Sequence, residues 1–434
     1  MVRTVRLARV VGVWAVLVLV LASGSAAWAE APKNVILLIG DGMGFEQVKA
    51  ASVYATDKQG GLAFEKYFRA EMTTHSLNSF RKRSHATDSA AAAAAIATGY
   101  KTKNGYLALL PDGRELTTVL EVFATAGKQT GMVTTVPMTH ATPAGFAAHV
   151  KSRNDTKKIA AEYFTKTRPN VLFGAYVQKG TGVTEKKATA AGYEVVKTRD
   201  EMKALVARLT RAARGTPVHV SGQFAPEQMP WEYTGPIDDP LGTDGYEYGM
   251  EDDDDDAENK DDGADPREDV TFETAPHLSE MSAAALALLD GPKGFFLMIE
   301  GGSIDKAGHK NQIERSVFET LEFEKTFRTV MAWAADRKDT LIIVTADHET
   351  GAMWVTKSRG KEEFPKVVWG RWDHSGLNVP VYAWGLGADD LTGIIDNTAL
   401  YAVMTGEASA PLPPPPPPKK KTTLTSLEPA AAKE

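Results

Sequence analysis

Not one of the 434 residues is cysteine. That absence excludes disulfides, thiolate metal sites and a lipid-bearing cysteine anchor. An excess of positive charge is missing as well: 49 lysines and arginines stand against 56 aspartates and glutamates, for a net charge of −7. The chain therefore has no overall basic field with which to hold nucleic acid. An apolar run of comfortable membrane-spanning length is also lacking, the nearest candidate being "VVGVWAVLVLVLA" close to the start. No repeat of fixed period runs along the sequence. What is present is a globular composition, 43 % hydrophobic and 24 % charged, in a chain long enough for one large domain or two.

The short apolar run has the flanks of an export signal. Arg3, Arg6 and Arg9 precede it, and Ala27 and Ala29 of "AWA" supply the small residues a signal peptidase reads. Residues 1–29 are thus expected to be a signal peptide, which places the protein in the periplasm or outside the cell and leaves the mature chain without a transmembrane span. An exported chain without disulfides must draw its stability from its core and from metals. At the other end, "PLPPPPPPKKK" begins a proline- and lysine-rich stretch, 411–434, expected to be a disordered tail. Between them, "EDDDDDAENKDDGAD" (251–265) is too acidic for any core. It lacks the ligand ladder of a calcium-binding helix–loop–helix, so a solvated loop inserted over about 225–275 is expected.

The rest of the chain repeats one grammar. Val35 to Ile39 form a continuous apolar run, as in a strand buried on both faces, and Asp41 follows it among three glycines. "GMVTTV" runs into His140 and Thr142. Phe295 to Ile299 lead to Glu300, Asp305 and His309. Leu341 to Thr345 lead to Asp347 and His348, and His374 precedes the apolar run Val379 to Trp384. In open parallel sheets, ligands bind in the crevice beyond the carboxyl ends of the strands. Acids and imidazoles gathered at such an edge need a partner such as a metal. Carboxylate with imidazole suits Zn²⁺, and carboxylate with hydroxyl suits Mg²⁺. Asp305 and His309, four apart, share a face if that segment is helical. In "SHATDSAAAAAAIATG" the alanines predict a helix, with Asp88 as its N-cap or first-turn acid. Ser89 then sits where free N–H groups and the helix dipole favour an anion.

In order and at fitting intervals, "DGMG", "TDSAAAAAAIATG", "HATPAGFAAHVKSRN", "EGGSIDKAGHKN", "TADHETG" and "DHSG" together resemble alkaline phosphatase. The resemblance runs from residue 34 to about 385 and makes 30–410 the catalytic domain. It implies an α/β three-layer sandwich, with a largely parallel central sheet flanked by helices on both faces. It also implies hydrolysis of small phosphate monoesters with two Zn²⁺ and one Mg²⁺. Carried over by motif, Ser89 would be the nucleophile, Arg153 would grip two phosphate oxygens, and Asp88 would steer that arginine. One zinc would take Asp305, His309 and His374, the other Asp41, Asp347 and His348, and magnesium Asp41, Thr142 and Glu300. Lys306 would contact phosphate or water. Many bacterial relatives carry aspartate where this chain has His140. This substitution leaves the third site open between magnesium held through water and a zinc or cobalt with a nitrogen ligand. Relatives are often homodimers. Two other readings stand beside the monoesterase: a phosphodiesterase or sulfatase of the same superfamily, and a catalytically weak phosphate-binding surface protein. Diesterases usually use threonine and lack the arginine grip. Sulfatases need a modified residue in a different motif, and a dead site would require a lost ligand. His75, His85, His149, His219 and His277 have no motif role and are expected to be structural or on the surface.

Overall fold

Five apolar residues in succession, Val35 to Ile39, can bury both faces of a strand only in the middle of a sheet, and there they are fully buried. They form β1 (Asn34–Gly40) in a computed structural model that describes residues 31–79, 86–177, 182–212, 218–237, 270–407 and 410–412. The expected signal peptide, the acidic run 251–265, His85 and nearly all of the expected tail lie outside the described residues. In chain order the further strands are β2 (Phe68–Thr73), β3 (Gln129–Pro137), β4 (Val171–Tyr176), β5 (Glu194–Val196), β6 (Val220–Pro226), β7 (Phe295–Gly301) and β8 (Thr340–Thr345). There follow β9 (Glu349–Thr350), β10 (Met353–Lys357), β11 (Lys366–Trp369), β12 (His374–Ser375), β13 (Val379–Gly385) and β14 (Gly393–Asp396). The helices are α1 (Phe45–Thr56), α2 (Ser89–Thr98), α3 (Val119–Thr125), α4 (Ala141–Ala147), α5 (Thr156–Glu162), α6 (Glu185–Ala190), α7 (Arg199–Ala212), α8 (Leu278–Leu289), α9 (Ser303–His309), α10 (Ile313–Ala334) and α11 (Ala399–Thr405).

Ten strands form the central sheet in the order β14-β2-β13-β8-β1-β7-β3-β4-β6-β5. From β8 to β5 every neighbouring pair is parallel. β13 runs against both of its neighbours, β8 and β2. Two adjacent phenylalanines in β7 show the layers, because successive side chains of a strand point to opposite faces. Phe295 packs on Trp333 of α10, whereas Phe296 packs on Phe123 of α3 and Phe146 of α4. Helices therefore cover both faces, and the three-layer α/β sandwich is as expected.

The register brings the polar ends of the strands together. Ile39 of β1 lies opposite Glu300 of β7 and Thr345 of β8, and Thr134 of β3 lies opposite Glu300. Asp41, Glu300 and Asp347 thus emerge side by side at the carboxyl edge. His374 reaches the same edge by the opposite route. It precedes β13, and because β13 is reversed, the amino end of that strand lies where the parallel strands finish. Among the described residues, no helix is long and apolar enough to cross a membrane.

Candidate active site

Helix α2 is buried along its whole length, so the polyalanine run is a core helix as well as a capped one. Asp88 is its N-cap: one carboxylate oxygen accepts the Ala91 N–H at 2.9 Å. The other accepts the Gly105 N–H at 2.8 Å and faces a guanidinium nitrogen of Arg153 at 3.4 Å. Asp88 therefore ties Arg153 to the amino end of the helix on which Ser89 is the first residue. The Ser89 hydroxyl is buried and lies 3.1 Å from Nε2 of His348. Arg153 also approaches Nε2 of His140, at 3.3 Å.

Around Ser89 the structure gathers the acids and imidazoles that the strand ends pointed to. Asp41, Asp347 and His348 each present a ligand atom within 4.8 Å of the others, as do Asp305, His348 and His374, and Asp41, His140 and Glu300. Asp305 and His309 share one face of α9, their side chains 3.3 Å apart. Thr142, on α4, lies 3.5 Å from Asp41. Lys306 is half-buried on α9 beside Asp305. Gly42 lets β1 turn out of the sheet here. Its φ is +69°, and a Cβ would lie 2.8 Å from a carboxylate oxygen of Asp305.

Hydrogen bonds fix which way each imidazole points. Nδ1 of His309 bonds to the Trp372 carbonyl at 2.6 Å, and Nδ1 of His374 to the Thr87 carbonyl at 2.9 Å. A carbonyl only accepts, so both rings carry a proton on Nδ1 and, in the neutral form, the lone pair on Nε2. Those two lone pairs face each other 3.1 Å apart, with Asp305 beside them. In His348, Nδ1 lies 3.3 Å from the Thr350 hydroxyl, which itself donates to Asp305. The Nε2 lone pair of His348 is thereby aimed at Asp41 and Asp347, 3.5 and 3.3 Å away. Lone pairs turned on one another and on carboxylate oxygens repel unless a cation lies between them. Buried oxygens of Asp41, Glu300 and Asp347 have no hydrogen-bond partner among the described residues. This donor set fits divalent metals.

The titration behaviour expresses the same shortage of positive charge. Burial, reinforced by Asp347, Asp305 and Glu300, raises Asp41 well above the usual carboxylate range. Burial pushes Glu300 up to about 7 against the pull of its Thr134 hydrogen bond, and burial with Asp305 close by pushes Asp347 up to about 7. Burial would raise Asp305 too, but His309, His374 and His348 around it win and hold it well below. Burial keeps His348 and His374 below the ordinary imidazole value.

Two supporting residues were missed in the sequence. The Thr350 hydroxyl sits between His348 and Asp305, and the Thr134 hydroxyl donates to Glu300 at 2.5 Å. Thr350 stands two positions after His348 in "DHETG", a same-face spacing that could have marked it. Nothing local marks Thr134, which meets Glu300 only through strand register.

The alkaline phosphatase family model matches residues 32–173 and 175–366. The chain is 33 % identical over 451 aligned positions to the streptomycin-6-phosphate phosphatase of Streptomyces griseus, covering 90 % of this chain and 95 % of that one. It is 31 % identical to alkaline phosphatase H of Pseudomonas aeruginosa (strain UCBPP-PA14), covering 85 % of this chain and 83 % of that one. The crystal structure of the cold-active alkaline phosphatase from the psychrophile Shewanella sp. superposes with a TM-score of 0.67 at 24 % identity, over 86 % of this chain and 98 % of that one. Similarity at that level of identity speaks for the fold.

Proposed function

Since the chain belongs to the alkaline phosphatase family and hydrolyses phosphate monoesters with the help of metal ions, we propose that Ser89 is its nucleophile and that a phosphoserine is its intermediate. The observation that carries this reading is the position of the Ser89 hydroxyl. It is buried at the amino end of α2, 3.1 Å from His348, with Arg153 bound to the same helix end through Asp88.

We assign one zinc to Asp305, His309 and His374, a second to Asp41, Asp347 and His348, and a third ion to Asp41, Thr142 and Glu300. Such ions, when bound, supply Lewis acidity that makes a hydroxyl nucleophilic at neutral pH and offsets charge on a leaving oxygen. His140 faces Asp41 and Glu300, which supports a nitrogen-bearing third site and weaker magnesium retention than an aspartate would give.

The chain's own residues do the rest. The free N–H groups at the start of α2 favour the phosphoryl dianion beside Ser89. The Arg153 fork matches two of its equatorial oxygens, an arrangement that prefers a monoester, in which three oxygens are free, to a diester. The Ser89 oxygen forms a bond to phosphorus as the ester oxygen departs, and the serine proton ends on the released alcohol. Water then attacks the phosphoserine from the vacated side, returning the hydroxyl to Ser89 and releasing inorganic phosphate. Lys306, on α9, is assigned to contact phosphate or its bound water.

Export to the periplasm or beyond the cell, and a homodimeric state, belong to the same proposal. The first rests on the pattern from Arg3 to Ala29 and the second on the family resemblance. Steady-state assay of p-nitrophenyl phosphate against bis-p-nitrophenyl phosphate, with and without chelator, tests the reaction. Chelator-sensitive turnover favouring the monoester is expected. Preference for the diester would overturn the role of Arg153, and turnover untouched by prolonged chelation would overturn the metal assignment.

A further inference from the structure

His149 stands four residues before Arg153, outside the cluster around Ser89, and its side chain is only 2 % exposed. Its Nε2 lies 3.2 Å from the Glu121 carboxylate and 3.0 Å from the Leu116 carbonyl. Its Nδ1 lies 3.1 Å from the Glu162 carboxylate, and the same Glu162 oxygen accepts the His149 backbone N–H at 2.8 Å. An imidazolium, with two N–H donors, satisfies the acceptors at both ring nitrogens. The opposing neighbour is Lys166, 2.9 Å from Nδ1, which is itself bound to Glu115 at 2.6 Å and lies 3.8 Å from Glu162. Burial alone would push the imidazole down. Its hydrogen bonds to Glu121 and Glu162 outweigh burial and hold the group up to about 9.

This cation joins three pieces of chain. Glu121 belongs to α3 and Glu162 ends α5, while His149 belongs to the segment 148–153 that ends in Arg153. The other edge of that segment is pinned by backbone bonds of 2.9 Å, from the Leu107 N–H to the Val150 carbonyl and from the Arg153 N–H to the Gly105 carbonyl. The guanidinium contacts to Asp88 and His140, at 3.4 and 3.3 Å, are at the long end of hydrogen bonding. The backbone that carries Arg153 sets where the guanidinium starts from.

We propose that His149 is a positioning residue for Arg153: its cation, shared between Glu121 and Glu162, holds the segment 148–153, and losing that proton in alkaline solution loosens the guanidinium's grip on the phosphoryl group. The inference rests on the assignment of Arg153 to phosphate. The sign is fixed by the direction of the shift. A histidine held above its unfolded value of about 6.5 contributes fully below that pH and loses its contribution as pH rises through about 9.

The test is the inhibition constant for inorganic phosphate in the metal-loaded enzyme between pH 7.5 and 10.5, with KM and kcat read separately. Wild type is compared with His149→Gln, Glu162→Gln, Arg153→Ala and the double variant His149→Gln/Arg153→Ala. Wild-type inhibition should weaken by about tenfold as pH passes the His149 titration. His149→Gln should be weakened already at pH 7.5 and lack that step, with KM affected more than kcat. Glu162→Gln should move the step to lower pH, and it carries the test if His149→Gln does not fold. In the Arg153→Ala background, His149→Gln should add nothing. The inference is overturned if His149→Gln leaves the wild-type profile intact, or weakens phosphate equally with and without Arg153. If Arg153→Ala alone leaves phosphate inhibition unchanged, the assignment of Arg153 to phosphate has failed instead.

Discussion

Zinc binding by this protein should be steeply dependent on pH in the acid range, and its slope can be worked from the buried carboxylates. In metal-stripped protein, Glu300 and Asp347 each titrate near about 7 because burial disfavours their charged forms. A group with that value is roughly 90 % protonated at pH 6 and roughly 10 % at pH 8, so each must give up a proton to admit a cation at the lower pH. Each costs about a factor of ten in apparent affinity between the two, Asp347 at its zinc site and Glu300 at the third site, so filling both sites costs about a hundredfold overall, about 3 kcal/mol. Asp41, raised in the same direction, adds to this. His348 and His374 oppose binding less, since burial lowers both below the ordinary imidazole value. Because these acids repel one another, the protons belong to the cluster rather than to single residues, and their total is what can be counted. Zn²⁺ should be titrated into chelator-stripped protein against a competing chromogenic chelator at pH 6 and 8. Calorimetry in buffers of different ionisation enthalpy then counts the protons. The expected result is an overall affinity, with the sites filled, at least about a hundredfold lower at pH 6, with about two more protons released there, and in Glu300→Gln a pH dependence smaller by about tenfold. Affinity equal at the two pH values within a factor of about three would refute the argument, because the acids would then not be protonated in the stripped site.

Three other outcomes are expected. Ser89→Ala should lower kcat for p-nitrophenyl phosphate by at least about a thousandfold with metal content unchanged, and a loss under tenfold would remove Ser89 as nucleophile. Gly145→Val should cost about 1–3 kcal/mol, because a Cβ at Gly145 would lie 2.6 Å from that of Ala93 and 3.1 Å from the Ala94 nitrogen. It would also push α4, with Thr142, away from the helix of Ser89, so an unchanged unfolding temperature with full activity would contradict the close packing. His140→Asp should retain more Mg²⁺ through dialysis, measured by elemental analysis, because a hard oxygen donor joins Asp41 and Glu300. Stoichiometric magnesium already held tightly in the wild type would count against the nitrogen-ligand reading.

Much of the site was legible as residue types at strand ends. The apolar run before Asp41, the pair Asp347 and His348 after Leu341 to Thr345, and the four-residue spacing of Asp305 and His309 each follow from local rules. Burial on both faces demands unbroken hydrophobicity, and a helix returns a side chain to the same face after four residues. The capped amino end of α2 was equally local, since Asp88 and Ala91 are neighbours in sequence. These features depend on the chain within a few residues, and the sequence by itself determined them.

What the sequence could not decide is whatever depends on which distant segments lie side by side. Thr134 reaches Glu300 only because β3 and β7 pair in one register; a shift of one residue would turn the threonine to the other face. His374 joins the parallel strand ends only because β13 is reversed. The lone pairs of His309 and His374 face each other because carbonyls of Trp372 and Thr87, remote along the chain, hold their other nitrogens. His149 read as one more histidine until α3 and α5 brought Glu121 and Glu162 to its two sides. Propensity and capping act over a turn or two of chain, whereas electrostatics and hydrogen bonding act over ångströms of space, and only the packed sheet and its helices turn one into the other.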